Sequence, residues 1–188
     1  MARQSSNHRR RAVFLDRDGT INEDTGYLSN PNDLQLIPGS AEAIRTLNHR
    51  GWLAIVISNQ SGIGRGFFTE EELRAVHQRL VAELAQHGAR LDAIYYCPHT
   101  PDDQCQCRKP QAGLLEQAAQ HLQVDCTHSW MVGDHDTDVL AGASMGCRTA
   151  LVLTGHGQNQ SLDRFPPDLV APNLASVVAH ILRADDTP

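Results

Sequence analysis

Five short apolar runs recur along this chain, and each stops at polar or glycine-rich residues. The runs at 12–15, 53–58, 93–96, 129–132 and 148–153 are rich in β-branched and aromatic residues and too short for helices, which predicts strands. The run at 53–58 is apolar without alternation, the pattern of a strand buried on both faces. Between the runs the apolar period lengthens towards 3.6. Ser40 caps a helix to about His49, which Gly51 ends. Thr69 and Glu72 form a capping box ahead of a helix that aligns Leu73, Val76, Leu80 and Leu84 on one face. Further helices are expected over 110–122, 136–145 and 174–182. Residues 21–38 show no period and read as a loop long enough to imply a role of its own, and 59–66 read as a glycine-rich loop. Strands alternating with helices predict an α/β fold, a doubly wound parallel sheet with helices on both faces. The 188 residues then divide into a disordered flank (1–11), one domain (12–183) and a frayed tail (184–188).

Charge and composition narrow the partners. The formal charge is −6, so Arg9, Arg10 and Arg11 read as a solvated flank and not as a nucleic-acid contact. No apolar run is long enough to span a bilayer. The polar start lacks the apolar core of a signal peptide, so a cytoplasmic protein is expected, without nucleic-acid or membrane partners. No coiled-coil pattern predicts assembly, and a monomer is expected. Of five cysteines, three fall within eleven residues. In a reducing compartment such a cluster indicates metal before disulfides. Cys97-x-His99 and Cys105-x-Cys107 offer three thiolates and one imidazole, a closed tetrahedral set for a structural Zn²⁺. Cys126 and Cys147 lie outside the pattern and read as packing residues.

The candidate chemistry sits at strand ends. The first strand runs into Asp16-Arg17-Asp18-Gly19-Thr20. Alternate residues of an extended chain share a face, so Asp16 and Asp18 are expected to face one site. Two carboxylates aimed at one point call for a cation or a shared proton. Thr20 adds a hydroxyl suited to a phosphate oxygen. Ser58 ends the second strand, Asp134 ends the fourth, and Lys109 follows the cysteine-rich loop. Lys109 is the only lysine, in a chain that otherwise uses arginine for positive charge. A compact ammonium suits a point contact to phosphate.

Asp16-x-Asp18-Gly19-Thr20, Ser58, Lys109 and Gly133-Asp134 with Asp138 beyond resemble the four motifs of the haloacid dehalogenase superfamily of phosphohydrolases. The resemblance implies a Rossmann-like fold without a large cap domain. It makes Asp16 the nucleophile, forming an aspartyl-phosphate, and Asp18 the general acid and then base. Mg²⁺ would be held by Asp16, the backbone carbonyl of Asp18, and Asp134. Ser58 and Lys109 would hold phosphoryl oxygens. Asp24-Thr25-Gly26-Tyr27, Ser58-Asn59-Gln60-Ser61-Gly62-Ile63-Gly64-Arg65-Gly66, Cys97-Pro98-His99 and Cys107-Arg108-Lys109-Pro110 narrow the likeness to the D-glycero-D-manno-heptose-1,7-bisphosphate 7-phosphatase family. Histidinol-phosphate phosphatase is a close relative with the same type of zinc loop. The heptose likeness implies a phosphorylated sugar substrate, contacted by Asp24, Thr25, Gly26, Tyr27, Ser58, Asn59, Gln60, Ser61, Arg108 and Lys109. Arg108 would pair bidentately with the distal phosphate, with Arg65 as a second candidate.

Overall fold

The computed structural model describes residues 10–161 and 166–186, so the expectations for 1–9 and for 187–188 lie outside the described residues. Six parallel strands form one sheet in the order β3-β2-β1-β4-β5-β6. They are β1 (Ala12–Leu15), β2 (Leu53–Asn59), β3 (Ala93–Cys97), β4 (Trp130–Gly133), β5 (Arg148–Val152) and β6 (Leu169–Ala171). Helix α1 (Ser40–His49) links β1 to β2, and α2 (Ser61–Gly64) with α3 (Glu70–Gln86) links β2 to β3. Helix α4 (Gly113–Leu122) follows the cysteine-rich loop, α5 (Asp136–Ser144) links β4 to β5, and α6 (Leu174–Asp185) follows β6.

The apolar runs are continuous because both faces of the sheet are covered. Val13, Leu15, Ala54, Val56, Val132, Ala150 and Val152 pack on one side against Ile44 of α1, Leu80 of α3 and Val177 of α6. Ala12, Phe14, Leu53, Ile55, Ile57 and Met131 pack on the other against Leu115 of α4 and Ala141 of α5. Central β1 pairs with β2 on one side (Val13 opposite Ala54) and with β4 on the other (Val13 opposite Trp130). The chain winds outward in both directions from β1 and β4. The crevice between their carboxyl ends is the switch point where such sheets bind ligands.

Several boundaries differ from the sequence reading. Arg10 belongs to the ordered fold: its N–H donates to the Gln123 carbonyl and its own carbonyl accepts from Asp125 N–H, each at 2.9 Å. Arg11 lies over the Trp52 ring at 4.5 Å and pairs with Asp185. Helix α6 therefore continues into the expected tail, and Asp186 pairs with Arg50 beyond it. The turn after Asn59 is in part helical, as α2. Helix α4 starts at Gly113 and not at Pro110. Strand β6 was not expected; it has three residues and its Val170 is exposed, so it leaves little periodic trace. Among the described residues, no helix is long and apolar enough to cross a membrane.

Candidate active site

Strand β1 delivers Asp16 to the switch point. Its N–H extends the ladder to the Val132 carbonyl at 2.9 Å, and the chain then bends. The Arg17 carbonyl accepts the N–H groups of Thr20, Ile21 and Asn22 at 3.3, 2.8 and 3.2 Å, which closes a tight loop. Gly19 sits at φ +76°, and a Cβ there would lie 2.2 Å from Asp134 Oδ2. The β1 loop can approach the carboxylate after β4 only without a side chain at this position. Thr20 is fully buried, its hydroxyl has no hydrogen-bond partner among the described residues, and it does not line the cavity. The tight loop buries its hydroxyl away from the cavity wall, where the sequence reading expects it to meet a phosphate oxygen.

Lys109 is 3% exposed and sits among oxygens. Its Nζ lies 2.7 Å from Asp16 Oδ1 and 2.6 Å from Asp138 Oδ1, and it donates to the Ile57 carbonyl at 2.6 Å. Burial works against this charge, but the Asp138 and Asp16 carboxylates outweigh it and hold the ammonium above the ordinary lysine value. Burial pushes the Asp16 carboxyl up to about 6, with Lys109 pulling against it. Burial, aided by the Asp16 charge, also pushes Asp134 up to about 6. Oxygens of Asp16, Asp134 and Asp138 lie within 4.8 Å of one another. Asp138 is committed to Lys109. Asp16 and Asp134 are left as two acids with more negative charge than the protein neutralises, a donor set suited to a hard divalent cation. Asp134 is held in place by the His156 N–H, which donates to its Oδ2 at 2.7 Å.

Asp18 is held differently. Burial would raise its pKa, yet the Arg17 guanidinium and the amides of Asn22 and Gln60 bring it below the usual carboxylate value. Asp16 and Asp18 both line the same cavity, but their ionisation is pushed in opposite directions. Such a split lets two acids of one site take different roles.

The cavity has a volume of about 600 Å³. Its wall includes Asp24, Gly26, Tyr27, Ser58, Asn59, Ser61, Arg108 and Lys109, as expected from the sequence. Thr25 and Gln60 are not part of it. Gln60 is turned inward, 4% exposed, and its Nε2 donates to Ser58 Oγ at 2.7 Å and to Asp18 Oδ2 at 3.0 Å. Arg65 is exposed and away from the cavity wall. Arg108 reaches the wall while its Nη1 donates to the His99 carbonyl at 3.2 Å, which ties it to the cysteine-rich loop. Pro101, Thr137 and His156 also line the cavity and were not singled out from the sequence; His135, which the sequence places directly after Asp134, lines it too. His156 Nε2 meets Asp24 Oδ2 at 2.9 Å, joining the loop after β5 to the loop after β1 across the mouth. Asp138, read from the sequence only as a motif member, emerges as a buried partner of Lys109. Its place in the first turn of the helix expected over 136–145, just after Asp134, was the available signal.

The four residues Cys97, His99, Cys105 and Cys107 converge, with their ligand atoms within 4.8 Å of one another. The sulfurs are 3.6 Å (97 to 105), 3.2 Å (97 to 107) and 3.4 Å (105 to 107) apart. His99 Nδ1 lies 3.5 Å from Cys97 Sγ and 3.2 Å from Cys107 Sγ. A tetrahedral zinc with Zn–S bonds of ~2.3 Å separates its sulfurs by about 3.8 Å. The cage thus has the ligand types and nearly the size of a closed zinc site. Cys126 and Cys147 lie apart from it, against the apolar core under α4 and α5.

The HAD-hydrolase-like family model matches residues 106–177. A D-glycero-beta-D-manno-heptose-1,7-bisphosphate 7-phosphatase of Haemophilus ducreyi is 40% identical over 180 residues, covering 92% of this chain and 98% of that protein. One of Pseudomonas aeruginosa is 41% identical over 177 residues, covering 93% and 99%. The crystal structure of D,D-heptose 1,7-bisphosphate phosphatase from B. bronchiseptica, complexed with magnesium and phosphate, superposes with a TM-score of 0.87. It is 37% identical and covers 93% of this chain and 99% of its own. With 37–41% identity to these proteins over more than nine-tenths of the chain, and a sheet that places the motif residues at one switch point, the chain belongs to the D-glycero-D-manno-heptose-1,7-bisphosphate 7-phosphatase family of HAD-like hydrolases.

Proposed function

We propose that this protein is a Mg²⁺-dependent phosphatase that removes the 7-phosphate of D-glycero-D-manno-heptose 1,7-bisphosphate. The observation that carries the reading is the Asp16–Lys109 pair at 2.7 Å, set opposite Asp134 in a cavity of about 600 Å³. In this reading an Asp16 oxygen attacks phosphorus and the bond to the sugar oxygen breaks, leaving the phosphoryl group on Asp16. Asp18 gives a proton to the departing sugar oxygen, a proton it must take up against the Arg17, Asn22 and Gln60 hydrogen bonds that favour its charged form. Asp18 then takes a proton from the water that attacks the aspartyl-phosphate, and inorganic phosphate leaves with Asp16 regenerated. Ser58 and Lys109 hold phosphoryl oxygens as charge moves between them. Mg²⁺ would be held by Asp16, the Asp18 carbonyl and Asp134, and would offset the charge of the acids and the phosphate. Arg108 is the cation for the distal phosphate, with Asp24, Gly26, Tyr27, Asn59 and Ser61 shaping the sugar pocket. Zn²⁺ in the Cys97, His99, Cys105 and Cys107 cage is structural. A cytoplasmic, monomeric enzyme completes the reading.

The test is phosphate release with Mg²⁺ from the β anomer of heptose 1,7-bisphosphate and from histidinol phosphate in parallel. A large kcat/KM advantage for the bisphosphate is expected. Preference for histidinol phosphate would overturn the substrate and leave the chemistry of Asp16 and Asp18 standing.

A further inference from the structure

Arg17 is the largest of the fully buried side chains, 0% exposed, beside a reactive cavity whose wall it does not form. Burying a guanidinium is costly unless its partners are close and well aligned. Alternation along the chain would point Arg17 away from Asp16 and Asp18. The bend after β1 lets it turn back. Its Nε donates to Asp18 Oδ1 at 3.0 Å and its Nη2 to Asp18 Oδ2 at 2.7 Å, a bidentate pair. The Asn22 amide donates to the same Oδ1 at 2.9 Å and the Gln60 amide to the same Oδ2 at 3.0 Å. Each Asp18 oxygen thus accepts two hydrogens, and both the plane and the rotation of the carboxylate are set. Gln60 completes a ring: its Oε1 accepts from Arg17 Nη2 at 3.3 Å, and its Nε2 also reaches Ser58 Oγ at 2.7 Å. Asp16, one residue away from Arg17 on the other side, is held by Lys109 instead. The two acids are therefore oriented by two separate cations.

We infer that Arg17 is a positioning residue for the phosphatase reaction: it fixes how the Asp18 carboxylate faces the cavity, and Gln60 ties that orientation to Ser58. The inference rests on the proposed role of Asp18 in serving the departing oxygen and the incoming water. A lysine offers one rotatable point contact where the guanidinium offers a rigid fork, so Lys at this position keeps the charge and loses half of the hold.

The experiment uses the full chain with Mg²⁺ and two substrates, heptose 1,7-bisphosphate and p-nitrophenyl phosphate, for the wild type, Arg17→Met, Arg17→Lys, Asp18→Asn and the double variants. Melting temperatures are followed in parallel. Arg17→Met is expected to lower kcat by about 10- to 100-fold on the sugar phosphate with little change in KM. The loss with p-nitrophenyl phosphate is expected to be smaller, because nitrophenolate leaves with little need of a proton. Arg17→Lys is expected to fall between wild type and Arg17→Met. In the Asp18→Asn background either Arg17 change is expected to cost less than about two-fold more. Equal losses on both substrates, or losses that multiply with Asp18→Asn, overturn the inference. If Arg17→Met does not fold, Arg17→Lys carries the same comparison. Full turnover by Asp18→Asn would instead sink the proposed role of Asp18 and this inference with it.

Discussion

Asn59 clasps the backbone of Lys109 with both ends of its amide: Nδ2 donates to the Lys109 carbonyl at 3.1 Å, and Oδ1 accepts the Lys109 N–H at 3.0 Å. The residue after Ser58 thereby fixes the residue that pairs with Asp16, although 50 positions separate them. Two motifs that lie far apart in sequence become one rigid piece. Asn59→Ala removes both hydrogen bonds, worth about 1 kcal/mol each net, and lets the ammonium drift. The expected result is a fall in kcat/KM of about 10- to 100-fold with the fold retained. Asn59→Asp, which keeps the acceptor and loses the donor, should fall between. Steady-state kinetics check this, and wild-type kinetics for Asn59→Ala would sink it.

Asp138 has a structural as well as an electrostatic role. It is 1% exposed, ion-paired to Lys109 at 2.6 Å, and its Oδ2 accepts the His135 N–H at 3.1 Å at the start of α5. Removing one partner of a buried pair leaves the other charge without compensation, a loss of about 3–5 kcal/mol. Asp138→Ala is therefore expected to lower the melting temperature by roughly 10 °C, with turnover falling as well. Thermal unfolding checks this. A change within about 0.5 kcal/mol of wild type would show that Lys109 is satisfied by Asp16 and the Ile57 carbonyl alone.

Acid stability depends in part on His77. This residue of α3 has its Nε2 buried without a hydrogen-bond partner among the described residues, and its ring meets Tyr96 edge-on at 5.8 Å. Burial, with the Arg17 charge adding to it, lowers its pKa from 6.5 to about 4, while Asp18 opposes the shift. The unfolded chain takes up this proton near 6.5 and the folded chain only near 4. Between those values the unfolded state binds more protons, so stability is lost as pH falls, by no more than about 3 kcal/mol from this group. Urea unfolding of wild type and His77→Gln at pH 7.5 and pH 4.5 checks it. The variant should show the shallower pH dependence, and identical slopes would refute the assignment.

How far the sequence reveals this site depends on what fixes each residue. The strands of the sheet centre were readable because residues such as Val13 and Phe14 fill opposite faces, so the run is apolar throughout. Asp16 and Asp134 were readable because strand ends at a switch point are where chemistry collects, and Lys109 because it is the only lysine in the sequence. Gln60 was read as a wall residue alongside its neighbours Asn59 and Ser61. Which of three consecutive turn residues faces the cavity is set by the hydrogen bonds to Ser58 and Asp18, and these are tertiary. His156 reaches the mouth from the loop after β5 and meets Asp24, and no local pattern announces that meeting. The same holds for Arg17, whose bidentate hold on Asp18 arises from a bend that simple alternation does not anticipate.

The cysteine-rich loop bears on the active site through three backbone links. The Cys97 carbonyl accepts the Gln60 N–H at 2.7 Å, the Pro98 carbonyl accepts the Gly64 N–H at 2.9 Å, and the His99 carbonyl accepts Arg108 Nη1 at 3.2 Å. The cage therefore backs both the turn after β2 and the guanidinium assigned to the distal phosphate. One zinc per chain is expected by elemental analysis of the purified protein. Cys105→Ser removes one of four ligands, so zinc content should fall well below one per chain. Because the links run to Arg108 more directly than to Asp16, KM for the bisphosphate should rise more than kcat falls. A substrate with one phosphate should show a smaller change in KM. Full zinc content in Cys105→Ser would refute the ligand set. Lost zinc with an unchanged KM would separate the cage from Arg108 and leave it a role in folding alone.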